Sequence, residues 1–258
     1  MAYMIDSRRG VIIQARMGST RLHGKMAREF FNGKSLLEIV LTRLKTISEE
    51  NNVIVATSIS EQDNYIVNTA GKLNLSVYRG SENDVLSRFI GAAEMFGITH
   101  IIRVCADNPF IQLKYIQELL GYRINASVGY AGYLLNNSLP GIKSHLGFFP
   151  EMVSLDALKR IDSPDLNSGY REHVTSYFYG PDNDSVPVEW LHLHFGSEIM
   201  DSMRLTIDTE DDFQIANEIY KYLITNGKDV NEDEIFKFVS NNPGFLKKME
   251  SVKKKNEK

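Results

Sequence analysis

Short apolar runs alternate with longer segments of helical period from residue 11 to residue 107, and this alternation constrains the fold more than any other feature of the chain. VIIQA, NNVIVATS, LSVYRG and THIIRVCAD read as strands, each short, largely apolar and bounded by polar residues. Between them, SLLEIVLTRLKTI puts Leu36, Leu37, Val40, Leu41, Leu44 and Ile47 at helical spacing, and Ser35 with Glu38 has the pattern of a capping box. EQDNYIVNTAGKL and DVLSRFIGAAEMFG carry similar stripes through Ile66, Ala70 and Leu73 and through Val85, Phe89, Ala92, Ala93 and Phe96. Such a chain is α/β, with a mostly parallel sheet covered on both faces. Ligands of these sheets bind at the carboxyl ends of the strands.

Past Asp107 the pattern loosens. A helix around YIQELL precedes ASVGYAGYLLNNS, PGIKSHLGFFP, the helix-like SLDALKRI and an aromatic, turn-rich region that reaches LHLHF. This middle third has room for binding loops and an oligomer surface, or is an ordinary inserted hairpin. Order returns with MRLTID, which reads as a strand, and with TEDDFQIANEIYKYLI, a helix that Thr209 can cap with Asp212 reaching back. The closing KKMESVKKKNEK reads as a flexible Lys-rich tail. We therefore expect one domain over residues 9–245, with an insertion at 126–200 and a tail at 246–258.

Composition removes several classes of function. No apolar run approaches the roughly eighteen residues of a membrane-spanning helix. A net charge of -4 argues against a chain that wraps nucleic acid. The single Cys105 excludes an intrachain disulfide framework, and MAYMIDSRRG lacks the apolar core of a signal peptide, so a cytoplasmic location is the default expectation.

The loop after the first strand is the first candidate site. From Ala15 it runs through Arg16, Gly18, Ser19, Thr20, Arg21, Gly24 and Lys25, combining flexible backbone, hydroxyl donors and three cations. Glycines let amides approach phosphate oxygens, Arg binds two oxygens at once, and Lys acts as a movable point charge. The loop has neither the G-x-G-x-x-G spacing of a dinucleotide fold nor the GK followed by Ser or Thr of a P-loop, which disfavours an oxidoreductase. Asp107, before Asn108-Pro109, and Asp208, before a helix, both follow apolar runs, and two carboxylates so placed can share one Mg²⁺. Each also has an ordinary structural reading, as a turn former or as an acidic helix start.

Further polar candidates are Arg79, Ser81, Glu82 and Asp84 in the turn after the third strand, a possible nucleoside contact. Arg88 is four residues beyond Asp84, at salt-bridge spacing, and reads as structural. Arg171, Glu172 and His173 form a compact polar group. His192 and His194 alternate as on an exposed or edge strand.

QARMGSTRLHGK, VYRGSENDVLSRF, IIRVCADNPFI, YREHVTSYF and RLTIDTEDDF, in this order, resemble the SpsF-like cytidylyltransferases, relatives of the enzymes that make CMP-activated sialic acid and CMP-activated 3-deoxy-manno-octulosonate. The resemblance implies a three-layer α/β/α nucleotidyltransferase fold of Rossmann-like character, with a small insertion that helps form a homodimer. It further implies transfer of CMP from CTP to a sugar acid or related acceptor, with pyrophosphate released, in surface glycan biosynthesis. In this likeness Arg16, Arg21 and Lys25 contact the triphosphate, Asp107 and Asp208 bind Mg²⁺, Glu151 lies in the acceptor region, and Arg171 and His173 fall in the REHVT segment. His23 stands where the family has Pro, and GFFPE replaces a pattern like GLDVE, so Phe149 occupies the place of an Asp and points to a more apolar acceptor pocket. A sugar phosphate or polyol phosphate acceptor, and a non-catalytic nucleotide-binding protein, are the alternatives.

Overall fold

The computed structural model describes residues 8–19, 21–47, 53–125, 127–136, 138–194 and 198–256. Strand β1 (Arg9–Gln14) leads through a loop to a small hairpin, β2 (Glu29–Phe31) and β3 (Lys34–Ser35), and then to α1 (Leu36–Lys45). The alternation expected from the sequence continues as β4 (Val53–Ser58), α2 (Asn64–Lys72), β5 (Ser76–Gly80), α3 (Val85–Met95) and β6 (His100–Cys105). After α4 (Leu113–Gly121) come β7 (Tyr130–Leu134), β8 (Glu151–Ser154), α5 (Leu155–Ile161), the short α6 (Ser168–Glu172) and β9 (Val188–His192). Helices α7 (Glu210–Thr225), α8 (Glu232–Asn241) and α9 (Pro243–Asn256) close the chain.

Seven strands form one sheet in the order β5-β4-β1-β6-β8-β7-β9. The pairs among β5, β4, β1 and β6 are parallel, β8 runs against both β6 and β7, and β9 runs parallel to β7 at the edge. The strands of the middle third thus extend the central sheet. Because successive side chains of a strand point to opposite faces, Ile12 and Ile13 enter two different core clusters, and both are fully buried. Helices therefore cover the sheet on both sides.

Two helix starts follow the sequence closely. Ser35 accepts the Glu38 N–H while the Glu38 carboxylate accepts the Ser35 N–H, and Thr209 and Asp212 make the same exchange at α7. The run MRLTID, by contrast, joins no ladder. Its alternate residues Met203, Leu205 and Ile207 are buried as in a strand, but the Leu205 and Thr206 N–H groups both bond to the carbonyl of His145. It is an extended segment held by packing and one carbonyl.

The C-terminal expectation is also corrected. Residues 243–256 form α9, with Met249 and Val252 buried and Phe245 and Leu246 packed on the core. Leu246, Met249 and Val252, spaced by three, make a narrow apolar stripe between lysines, and the docking of that stripe orders the helix. Met249→Ala is expected to cost about 2–5 kcal/mol, read as a lower urea midpoint with an unchanged slope.

Candidate active site

The loop after β1 is pinned by an anion. Asp63 is 1% exposed, and its carboxylate accepts the Met17 N–H (2.8 Å), the Ser58 N–H (2.9 Å) and the hydroxyls of Thr57 (2.9 Å) and Ser58 (2.5 Å). Burial by itself would raise its pKa, but the donors from Ser58, Met17 and Thr57 outweigh it and hold the carboxyl below the usual range. Farther along, Gly24 adopts φ +65°, a conformation that favours glycine, and starts the tight turn Lys25–Ala27. That turn drives Lys25 inward.

The Lys25 side chain is only 8% exposed. Its ammonium donates to Asp107 Oδ2 (2.7 Å) and to the Ile207 carbonyl (2.5 Å), with Asp208 Oδ1 at 4.0 Å. Asp107 lies two residues past β6, in a turn held from below by Arg43, which donates to the carbonyls of Pro109 (2.7 Å) and Ile111 (3.2 Å). Asp208 sits between two guanidinium groups, with Arg21 on Oδ1 (2.9 Å) and Arg204 on Oδ2 (3.0 Å). Arg204 is buried and also binds Asp212 through Nε (2.8 Å), while Asp212 accepts the N–H groups of Asp208 and Thr209. The cap of α7 thereby orients Asp208. Asp107, Asp208, Arg21 and Lys25 are thus brought together as the sequence suggested, although Asp208 arrives on an extended segment and not on a strand end.

The remaining candidates divide. Arg16 pairs with Glu172 (2.8 Å) and Arg171 with Asp84 (2.6 Å) and Asp162 (3.0 Å), which lays α6 across the loop after β1 and the cap of α3. His173 is exposed at the end of α6, and Ser19 Oγ accepts the Leu22 N–H at 3.3 Å. Ala15 is buried and its N–H bonds to the Ala56 carbonyl, and Gly18 faces Glu82. Ser81 Oγ accepts the Asp84 N–H. Thr20 lies outside the described residues. His192 and His194 are exposed, at and just past the end of the edge strand β9.

Three expectations need correcting. Arg79 does not face a free cleft: Nε, Nη1 and Nη2 donate to the Ser58 carbonyl, Asn64 Oδ1 and the Ser60 carbonyl, so it clamps the β4–α2 turn. Glu151 is 1% exposed, and its carboxylate takes Arg103 (2.6 Å), the Tyr130 hydroxyl (2.7 Å) and the Thr175 hydroxyl (2.8 Å), which leaves no open face for an acceptor. Phe149 is buried against Tyr115 and Tyr133 as a core side chain.

Asp63 and Arg204 are the contributors that sequence reasoning missed, while Glu172, named there only as part of a polar group, is found paired with Arg16. Arg204 left a signal, a cation inside the otherwise apolar run Met203 to Ile207. Asp63 left none, since an acidic residue at a helix start is unremarked anywhere.

An α/β sheet with basic loop, paired carboxylates and helix-capped aspartate at its carboxyl edge defines a nucleotidyltransferase. The chain belongs to the cytidylyltransferase family: the family model described as "Cytidylyltransferase" matches residues 10–251. It is 32% identical over 240 residues to the spore coat polysaccharide biosynthesis protein SpsF of Bacillus subtilis, covering 90% of this chain and 94% of that one. It is 33% identical to an uncharacterized protein of Methanocaldococcus jannaschii, with 95% of each chain covered. A cytidylyltransferase structure from Leptospira borgpetersenii superposes with a TM-score of 0.78 at 27% identity, covering 93% of this chain and 96% of that one.

Because the folded state lowers the Asp63 pKa, Asp63 stabilises the fold fully above its unfolded value of about 3.9, and this contribution is lost as pH falls through the lower folded value. Asp63→Asn should therefore flatten the fall in stability below pH of about 4. Urea midpoints of both proteins between neutral and acid pH check this: the wild type should lead at neutral pH and the gap should close in acid.

Proposed function

We propose that this protein is a Mg²⁺-dependent cytidylyltransferase that transfers CMP from CTP to a sugar acid or related acceptor, releasing pyrophosphate, in surface glycan biosynthesis. The observation that carries the reading is the placing of Asp107 and Asp208 on either side of one buried ammonium, Lys25, at the mouth of the loop after β1. Among the described residues no three His, Cys, Asp or Glu side chains gather into a cage. Two carboxylates suit magnesium nonetheless, because that ion takes hard oxygen ligands and leaves most of its positions to water and phosphate. Asp107 and Asp208 would hold it, and when bound it supplies positive charge at the α-phosphate.

The chain's own side chains do the rest by position and charge, as phosphoryl-type transfer requires. Lys25 lies within reach of both carboxylates and Arg21 within reach of Asp208, and the two cations offset negative charge on the departing pyrophosphate. Among the described residues Arg16 is ion-paired to the half-exposed Glu172, and an incoming triphosphate replaces that partner. The acceptor oxygen forms its bond to the α-phosphorus as the bond to pyrophosphate breaks in line with it. Arg171 and His173, on and just after α6, are the acceptor contacts in this reading. The family likeness to SpsF supports the glycan setting, and the open edge at β9 supports a homodimer, because an unpaired strand edge readily takes a second chain.

Pyrophosphate release from each of the four ribonucleoside triphosphates with Mg²⁺, over a panel of sugar acids and sugar or polyol phosphates, tests the proposal. Turnover is expected with CTP and a sugar acid. Asp107→Asn and Lys25→Met should each lower kcat by about 10²–10³, with the urea midpoint showing that the fold survives. CTP-independent release, or full activity in Asp107→Asn, would refute the assignment.

A further inference from the structure

Arg88 is fully buried on α3 and yet almost unpartnered. Nη1 donates to the Ser81 carbonyl at 2.8 Å, whereas Nε and Nη2 are both buried without a hydrogen-bond partner. No carboxylate is paired with it at ion-pair distance among the described residues. A guanidinium cannot shed its charge as other buried groups do, and a buried charge with free donors destabilises a fold strongly. The spacing from Asp84 suggested a salt bridge, but Asp84 gives its carboxylate to Arg171 and to the Ser87 N–H.

The location of these free donors is informative. Arg88 packs beneath Gly80, where an added Cβ would lie 3.2 Å from Arg88 Cγ and 3.4 Å from its Cα, so the glycine lets α3 approach the carboxyl end of β5. Burial depresses the basicity of Arg88, nearby Arg16 depresses it further, and Asp63, Glu82 and Asp84 oppose this. These neighbours belong to the loop after β1, the β4–α2 turn and the β5–α3 turn, all at the carboxyl ends of adjacent parallel strands. Glu82, an exposed side chain, lies near Gly18, where an added Cβ would be 3.5 Å from its Oε1.

Nε and Nη2 form one edge of the guanidinium, with two N–H groups side by side. Such an edge matches two adjacent acceptors, as when Arg reads O6 and N7 of guanine. Cytosine offers that pattern at O2 and N3, whereas uracil has acceptors at O2 and O4 separated by an N3–H donor. We propose that Arg88 is a base-reading residue, whose Nε–Nη2 edge donates to O2 and N3 of cytosine and rejects uracil. The Ser81 carbonyl fixes the guanidinium plane from the third nitrogen. This inference rests on the cytidylyltransferase reading and adds the residue that selects the base.

The test is equilibrium binding of CTP and of UTP, with Mg²⁺ and no acceptor, to the full-length wild type, Arg88→Met and Arg88→Lys, with thermal midpoints recorded for all three. The wild type should prefer CTP by about ten- to a hundredfold, the range expected of one bidentate contact. Arg88→Met should bring CTP affinity to within a few-fold of UTP affinity while its midpoint stays level or rises, because an uncompensated buried charge has been removed. Arg88→Lys keeps a charge without the fork and should also lose the preference; it decides the matter should Arg88→Met fail to fold. If either folded variant keeps the wild-type preference, or the wild type has none, the inference is overturned while the cytidylyltransferase reading stands. A wild type that binds neither nucleotide overturns both. A preference kept together with a lowered midpoint assigns Arg88 to core support, satisfied by a hidden water.

Discussion

The ammonium of Lys25 is where three separate parts of the chain meet. It joins the loop after β1, the turn after β6 and the extended segment before α7, through Asp107, the Ile207 carbonyl and Asp208. Desolvating a lysine and its partner carboxylate offsets most of their attraction, so the contact contributes little net stability. Its effect is geometric: two carboxylates that would otherwise repel are held to one point. Gly24 makes this possible, since the left-handed turn at that residue points the following side chain inward.

Each member of that cluster is fixed by another layer. Arg43 holds the turn that carries Asp107 through the Pro109 and Ile111 carbonyls and ties it to the Val230 carbonyl before α8, and Arg204 holds Asp208 while Asp212 holds Arg204 and the start of α7. Beneath the sheet edge a second buried pair, Arg103 and Glu151, ties β6 to β8 and reaches Gln14 at the end of β1. The Cys105 thiol lies among these charges, and burial pushes its pKa up to about 11, with Asp107 and Glu151 adding to the effect against Arg103 and Lys25. A raised pKa favours the protonated thiol at neutral pH over a thiolate nucleophile. Transfer by direct in-line attack needs none.

Whatever depended on local periodicity or on helix caps was legible in the sequence. The first-half strands, the Ser35 and Thr209 caps and the placing of Asp107 and of the loop with Lys25 at the carboxyl ends of strands all follow from patterns within a few residues or from position in an α/β sheet. The failures share a cause, which is that burial is a property of the tertiary neighbourhood. Glu151 reads like a free carboxylate until β8 is seen to place it beside Arg103, and Phe149 reads like a pocket wall until Tyr115 and Tyr133 enclose it. MRLTID has a strand's alternation, but its Leu205 and Thr206 N–H groups share the His145 carbonyl and its Ile207 carbonyl goes to Lys25, so among the described residues it joins no ladder. In α9 a stripe of three apolar residues among lysines is too weak a signal to outweigh the charge around it.

The two sides of the cleft solve opposite electrostatic problems. Around Lys25 every buried charge is answered within the chain, by Asp107 and a carbonyl on one side and by Arg204 and Asp212 behind Asp208. Around Arg88 the charge is answered by one carbonyl and by carboxylates that are committed elsewhere, Asp63 to the loop amide of Met17 and Asp84 to α6. A fold selected only for stability would replace Arg88 by an apolar residue of similar length, since the packing beneath Gly80 involves its aliphatic stem. The charged head contributes to the free energy of the system only when an acceptor arrives. Unpaired donors at one end and mutually paired charges at the other divide the cleft into a part that recognises by what it lacks and a part that holds phosphate by what it already contains.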